Sequence, residues 1–471
     1  MPYVFSPLKE LENKIRSGRL LPAELISQHC ERIKKLNHSL NALRIVATEE
    51  AKKEALVLDQ EAKQGYFRGL LHGITFSAKD HIEVKCLGRS EGNRITEIKK
   101  ASRDAAVIKL LKKEGAVCIG KGNMAEYGKS YQTDNRDFGR TNNPFNPDYT
   151  PGGSGGGDAA AVAAGFASFA VGADAGGSIR IPANFCGLFG LYPTPGTITS
   201  HGISAYPHSI YAGMLSIGVL AGALDDLEIL ARILIRYDPR DPRSVYSSAS
   251  MLRPASTGKI AYFSELNGVK CDPLILKHIK EAAKKFEAAG FTLVEKIPAH
   301  FEQALYPFII LAGPAALLID DLLAARAGTP RDISKESDAM KTLRSRVKAE
   351  LPPLTAEHVL DAWHARDWLR IQAAQFFVEY DFILSPVTAT LPVKHGTSTF
   401  HINGQDYASE QVFQFASAVN LLGLPAVAFP TGISKSGLPV GLQLIGPRFS
   451  EFLIIEALRK AGFRERVKLK N

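Results

Sequence analysis

Three residues stand where side-chain chemistry could be done: Lys79 in FSAKD, Ser154 in PGGSGGGD and Ser178 in DAGGSIR. Glycines around a serine let a substrate approach the backbone closely. Successive N–H groups of such a turn can aim at one point and stabilise an oxyanion. A serine hydroxyl beside them, as at Ser178, has what acyl transfer needs. The plainer alternative is a serine that only closes a turn, and the local sequence leaves both open. Lys79 follows an apolar segment. Buried, it would lose pKa by desolvation and accept a proton as a neutral amine; exposed, it would be a solvated charge. Asp80 opposes the first reading only if it faces the same way, and neighbours in an extended segment face opposite ways.

Other readings of these loops fail. Gly152-Gly153-Ser154-Gly155-Gly156 fits the G-x-S-x-G elbow by letter, but that elbow follows a core strand and NPFNPDYTP cannot be one. His201, His208 and His395 lie in no context that would complete a Ser-His-Asp set. Gly115 to Lys121 has P-loop spacing, yet Gly122 stands where a magnesium-binding Ser or Thr is required. No metal-ligand spacing is present, so no metal or cofactor is expected.

The elements that must position these residues read as an α/β fold. Segments 74–78 and 116–119 read as buried strands around a helical stripe at 105–114, a β-α-β rhythm. Residues 7–62 read as mainly helical, with Ser6 capping the first helix, Pro7 at its first position and Pro22 starting the second. Residues 133–157 form a long loop rich in Asn, Pro, Gly and Asp; such loops are commonly functional. Residues 159–170 read as a buried helix and 171–182 as a Gly-rich turn. Strands are expected at 259–263, 291–295, 382–384, 426–429 and 441–445, a helix at 273–289, and a surface excursion at 332–352. No linker divides the chain, so one domain over 1–471 is expected, with the helical segment 7–62 packed on its core.

Composition bounds the class. Of the 471 residues, 45% are hydrophobic and 22% charged, a globular balance. The net charge of +9 is scattered, with one cluster at Arg459, Lys460, Arg464, Arg466, Lys468 and Lys470; a solvated basic surface is expected rather than nucleic-acid binding. Five cysteines without a C-x-x-C pair read as reduced, hence cytoplasmic. No secretory h-region is seen at the N-terminus, and the longest apolar candidate, 210–223, is too short for a membrane helix, which needs roughly 18 residues.

The stretch PGGSGGGDAAAVAAGFASFAVGADAGGSIRIPANFCGLFGLYPTPG resembles the amidase signature family. HGITFSAKDHIEV, GKGNMAEYGKS, FGRTNNPFNPD, DPRDPRS and NLLGLPAVAFPTGISKSGLPVGLQLIGP extend the resemblance over nearly the whole chain. It implies a large mixed β-sheet with helices on both faces, and an amide hydrolase. It implies Ser178 as nucleophile, Ser154 as bridging serine after a cis peptide, and Lys79 as base. It further implies an oxyanion hole in the backbone N–H groups of Ala175, Gly176, Gly177 and Ser178, supported by Asp174 and Arg180 unless these form a surface pair. The pattern departs at Gly155, where many members have a second serine, and at Tyr192, where GLKPT reads GLYPT. Both put substrate choice in doubt. The pocket is expected near 124–131 and 413–415.

The first function expected is a free-standing amidase acting on a small-molecule amide, with no nucleic-acid partner and a homodimer left open. The second is the glutaminase subunit of a tRNA-dependent amidotransferase. It would need partner subunits and a cationic clamp for the glutamine carboxylate, where Arg344, Arg346 and Arg366 are candidates. The third is a non-catalytic binding protein on the same scaffold.

Overall fold

The computed structural model describes residues 3–94, 98, 100–203, 213–246, 258–326, 328, 330–350 and 354–469, without the side chains of Arg346 and Glu350. His208, Lys470 and the end of the 332–352 segment lie outside these residues, as does part of 210–223.

The centre is a mixed sheet of eleven strands. In chain order these are β1 (Leu43–Val46), β2 (Thr75–Lys79), β3 (Val117–Gly122), β4 (Phe169–Asp174), β5 (Phe189–Tyr192), β6 (Ser216–Ala221), β7 (Lys259–Tyr262), β8 (Thr292–Glu295), β9 (Phe382–Pro386), β10 (Ala426–Ile433) and β11 (Pro439–Ile445). Across the sheet they run β1-β3-β2-β4-β6-β5-β10-β11-β9-β7-β8. Strand β2 lies parallel to both β3 and β4, with Ala78 paired to Lys121 and Val171. The β-α-β rhythm is realised by the helix Ala106–Lys113 between β2 and β3. From β4 to β9 the neighbours are antiparallel, and the sheet returns to parallel pairing at β9, β7 and β8. Strands β2 to β6 are buried at every position, which is why they carry apolar runs and not alternation.

Several expectations need correction. The N-terminal segment holds three helices, Leu8–Arg16, Pro22–Leu40 and Thr48–Lys63, but also edge strand β1. Pro22 does begin its helix. Ser6 does not cap the first: Pro7 holds the cap position without a side-chain bond, and Asp226 Oδ1 accepts the N–H of Leu8 at 2.8 Å. The helix expected at 159–170 is Gly156–Ala163, and β4 begins at Phe169. Gly165, at φ +71°, turns the chain between them. Strands β4, β5 and β6 were not expected: of the residues read as a Gly-rich turn at 171–182, the first four complete β4 and a helix begins at Arg180, and the buried apolar runs of these strands have no period of two, the signal that betrays a half-exposed strand.

Among the described residues one helical stretch, Phe301–Arg326, contains an 18-residue window of mean hydropathy 2.0. By length and composition it could cross a membrane. Here it folds as two helices, Leu305–Ala312 and Pro314–Arg326, broken at Gly313. Residues 332–352 are not a mere excursion either. The helix Asp338–Glu350 buries Met340 and closes over Tyr127 and Leu317.

Of the basic C-terminal cluster, Lys460, Arg464 and Lys468 are exposed, as a solvated basic surface requires, while Arg459 and Arg466 are half-buried. Arg459 pairs with Asp225 and Glu228, Lys460 with Glu456, and Arg466 stacks on Phe5.

Candidate active site

The structure brings Lys79, Ser154 and Ser178 together from three separate segments. Lys79 ends β2, which lies between two parallel strands, and its side chain is buried. Its Nζ donates to Ser154 Oγ at 2.7 Å and to the carbonyl of Ala173 at 3.3 Å. Ser154 Oγ in turn donates to Ser178 Oγ at 3.0 Å. The Gly153–Ser154 peptide is cis. Thr133 pins this loop: its hydroxyl donates to the carbonyl of Gly152 at 2.8 Å and accepts the N–H of Gly156 at 2.8 Å.

Lys79 and Asp80 do face opposite ways. Asp80 accepts from Arg44, from the Ser90 hydroxyl at 2.5 Å and from the Ser90 N–H at 3.1 Å. The supposed P-loop lysine, Lys121, is buried and donates to the carbonyls of Asp80 at 2.5 Å and Gly88 at 3.1 Å. Gly122 has a different task. A Cβ there would fall 2.4 Å from the carboxylate of Asp158, so the glycine makes room for that side chain.

Asp158 is a site residue that sequence reasoning missed. It lies in the first turn of the helix Gly156–Ala163, just after the Ser154 loop, and Ser77 Oγ, two strand positions before Lys79, donates to Asp158 Oδ1 at 2.8 Å. Two adjacent pairs thus tie the strand to the helix and to the loop that precedes it. Burial pushes the Asp158 carboxyl up to about 7, against the pull of Ser77 and Lys79. Burial also lowers Lys79 to about 8, although Asp158 and Asp174 oppose it.

Asp174 and Arg180 are fully buried, so the surface-pair reading is wrong. Arg180 Nε meets Asp174 Oδ2 at 3.0 Å and Nη2 meets Oδ1 at 3.3 Å, a bidentate pair. Arg180 also reaches Gln443 Oε1 at 2.9 Å and the side chain of Asn420. Asp174 Oδ1 further accepts the N–H of Gly177 at 2.6 Å and the amide of Asn420 at 2.9 Å. The Gly177 N–H therefore points at Asp174, not at a substrate. Ala175, Gly176 and Ser178 line the cavity beside the serines and Gly177 does not.

The two departures from the motif have local reasons. A Cβ on Gly155 would lie 3.0 Å from the carbonyl of Ser178 and 3.4 Å from Lys79 Cδ, so the glycine leaves Lys79 room. Tyr192 is buried under Arg180, with 4.8 Å from guanidinium to ring centroid, and its hydroxyl donates to the carbonyl of Met214 at 2.7 Å.

The serines open into a cavity of about 380 Å³. Leu305, Phe308, Ile309 and Leu317 form one wall, from the apolar stretch Phe301–Arg326. Leu343 and Val347 form another. Residues 127–131 line it as expected, whereas Phe413 stands behind, stacked on Tyr131 at 4.2 Å. Its charged lining is Lys79, Lys129 and Glu410. Burial lowers Lys129 to about 8, and its Nζ donates to the carbonyl of Ala312 at 3.1 Å. His81 also lines the cavity, and burial beside Lys79 and Lys121 holds its pKa well below the usual range. Neither His201 nor His395 does, and no arginine does among the described residues. Arg344 is engaged by Asp321 and Glu336, and Arg366 by the carbonyls of Leu421 and Gly213. Among the described residues no cluster of His, Cys, Asp and Glu could hold a metal ion.

The chain is 31% identical to a subunit of the glutamyl-tRNA(Gln) amidotransferase of Endomicrobium trichonymphae over 97% of each chain. It is 32% identical to the corresponding subunit from Clostridium acetobutylicum, over 96% of this chain and 97% of the other. Among solved structures, an amidase superposes with a TM-score of 0.83 at 25% identity, covering 97% of this chain and 99% of the other. A bacterial aryl acylamidase of the amidase signature enzymes shares the fold, with a TM-score of 0.84 at 24% identity and coverage of 98% and 97%. The family model for amidases matches residues 24–455, and with these relatives it places the chain in the amidase signature family.

Proposed function

We propose that the chain hydrolyses an uncharged small-molecule carboxamide through an acyl-enzyme on Ser178. The observation that carries this reading is the unbroken contact from Lys79 through Ser154 to Ser178 at the end of a mainly apolar cavity. Protonated Lys79 donates to Ser154. Once neutral, its lone pair accepts the Ser154 proton, and Ser154 oxygen accepts that of Ser178. Ser178 then attacks the amide carbonyl, and the developing oxyanion meets the N–H groups of Ala175, Gly176 and Ser178. The relay returns a proton to the leaving nitrogen. Water enters by the same base, and the ester is cleaved to the free acid.

A second reading has its own support: the relatives named as amidotransferase subunits, and a cavity that offers one cation, Lys129, and one anion, Glu410, besides Lys79. A zwitterionic glutamine needs such a pair. Against it, Lys129 is turned to the carbonyl of Ala312 and no arginine among the described residues offers a bidentate clamp. A non-catalytic role is disfavoured by the intact contact of the three side chains.

The test uses the purified chain without partners. Fluorophosphonate should label Ser178, and acyl or aryl amides should be hydrolysed much faster than glutamine. Rapid ammonia release from glutamine with no turnover of simple amides sinks the first reading in favour of the second. Absence of any Ser178 adduct sinks both.

A further inference from the structure

A second cavity, of about 540 Å³, lies apart from the serines and shares only the wall residue Leu215 with theirs. Four arginines converge on it from three places: Arg243 after the turn at 238–242, Arg366 and Arg370 one turn apart on the helix Ala356–Glu379, and Arg448 after β11. Few carboxylates answer them. Asp241 lines the cavity and answers Arg243, whose N–H its Oδ1 accepts at 3.0 Å; its Oδ2 accepts the N–H and hydroxyl of Ser200, each at 2.7 Å. Asp367 meets Arg366 at 3.5 Å and Arg370 at 3.7 Å, and its side chain is 66% exposed. Glu451, the remaining acid near Arg448, is buried, accepts the N–H of Thr194 at 2.7 Å and is pushed toward its neutral form by desolvation. Among the described residues Arg448 has no carboxylate within ion-pair distance. The sequence supplies no further acid between Asp174 and Asp225, nor between Asp241 and Glu265.

Arginines gathered in one cavity repel unless an anion joins them. Burial, together with the charge of Arg370, lowers Arg366 to about 10, and the same two causes lower Arg448. Arg366 is nonetheless held in place, by bonds to the carbonyls of Leu421 at 2.9 Å and Gly213 at 3.0 Å. Its Nη1 also meets Asp367 Oδ1 at 3.5 Å and the group lies 4.8 Å from the centroid of the Trp363 ring, yet it lines the cavity and carries its charge there. The rest of the lining includes the apolar Trp363, Ile198, Ile217 and Val245, with Ser200 and Ser244 among them.

We propose that this cavity binds a small organic oxyanion, a carboxylate or phosphate monoester, with its head on Arg366, Arg370 and Arg448 and its apolar body against Trp363. Planar guanidinium forks match both head groups. The proposal does not rest on the amide chemistry at Ser178.

Calorimetric titration of the full chain at constant ionic strength tests it, with phenyl phosphate, benzoate, inorganic phosphate and neutral benzyl alcohol as probes. Saturable binding of phenyl phosphate or benzoate, with none of benzyl alcohol, is expected; which of the two binds names the head group. Ser178→Ala should bind as the wild type does, which separates this site from the serine cavity. Arg370→Gln/Arg448→Gln should bind roughly tenfold or more weakly. Should that variant not fold, phenylglyoxal modification of the wild type serves: the bound probe should slow modification of Arg370 and Arg448, read by peptide mass. No saturable binding of either organic anion, or binding and protection indifferent to these arginines, overturns the proposal.

Discussion

Asp174 Oδ1 accepts the backbone N–H of Gly177 at 2.6 Å, so the carboxylate held by Arg180 also fixes the turn that presents Ser178. The turn leaves little freedom: Gly177 sits at φ +109°, and a Cβ there would fall 2.5 Å from Ile181 Cδ1. Removing one partner of a buried pair leaves an uncompensated charge, at a cost of about 3–5 kcal/mol. Asp174→Ala should lose that much stability in denaturant unfolding and should no longer be labelled by fluorophosphonate. A variant within about 1 kcal/mol of wild type that still labels at Ser178 contradicts this role.

Turnover should follow the neutral fraction of Lys79. With its pKa lowered to about 8, activity should rise with pH through that value. Ser178→Ala should abolish acylation. Lys79→Ala should lose most of the rate at neutral pH and recover part of it at higher pH. Near-normal activity of Lys79→Ala at neutral pH would exclude the relay.

Asp158 provides a finer check. Its charge raises the pKa of Lys79, so Asp158→Asn should move the rising limb to lower pH while keeping the bond from Ser77. A limb that stays in place, or moves up, shows that Asp158 does not act on Lys79.

The same lysine predicts an effect on stability. Its folded pKa lies below the unfolded value, so the fold bears the full cost of the buried charge below pH 8 and is relieved of it as pH rises toward 10.5. The shift corresponds to roughly 3 kcal/mol. Lys79→Met should therefore be more stable than wild type at pH 7, with an advantage that fades at alkaline pH. Unfolding curves at the two pH values decide it; a variant less stable at pH 7 refutes the account.

Selectivity should be set by the apolar wall. Phe308 lies against Gly176, where a Cβ would fall 2.9 Å from its ring. Phe308→Ala removes apolar contact worth about 1.5–3 kcal/mol. The kcat/KM for a small acyl amide should drop roughly tenfold to a hundredfold, with less loss for a bulkier acyl group. Lys129→Met should leave these amides nearly untouched; if it abolishes glutamine hydrolysis instead, the glutaminase reading gains.

The parts of the site legible in the sequence were those written in consecutive residues. The glycines around Ser154 and Ser178 and the apolar segment before Lys79 mark these residues locally, and the long match over 151–196 gives them their roles. The strands expected at 74–78 and 116–119 were legible as apolar runs; they lie at Thr75–Lys79 and Val117–Gly122, the second extended through Gly120, Lys121 and Gly122. Asp158 was not, because its meaning depends on Gly122 and Ser77, which only the fold brings to it. The four backbone donors expected at 175–178 could not be sorted in sequence either; Asp174 takes the one at Gly177. Strands β4, β5 and β6 were missed because complete burial erases alternation.

Strand β2 is bonded on both sides, to β3 and β4, and every one of its residues is buried. Its amides should exchange with solvent only when the whole molecule opens, so they belong to the slowest class of protons. The backbone that carries Lys79 is then a reporter of global integrity. A ligand that slows exchange at Ala78 and Lys79 has tightened the entire fold, while one that slows only the loops around the serines has ordered its own surroundings.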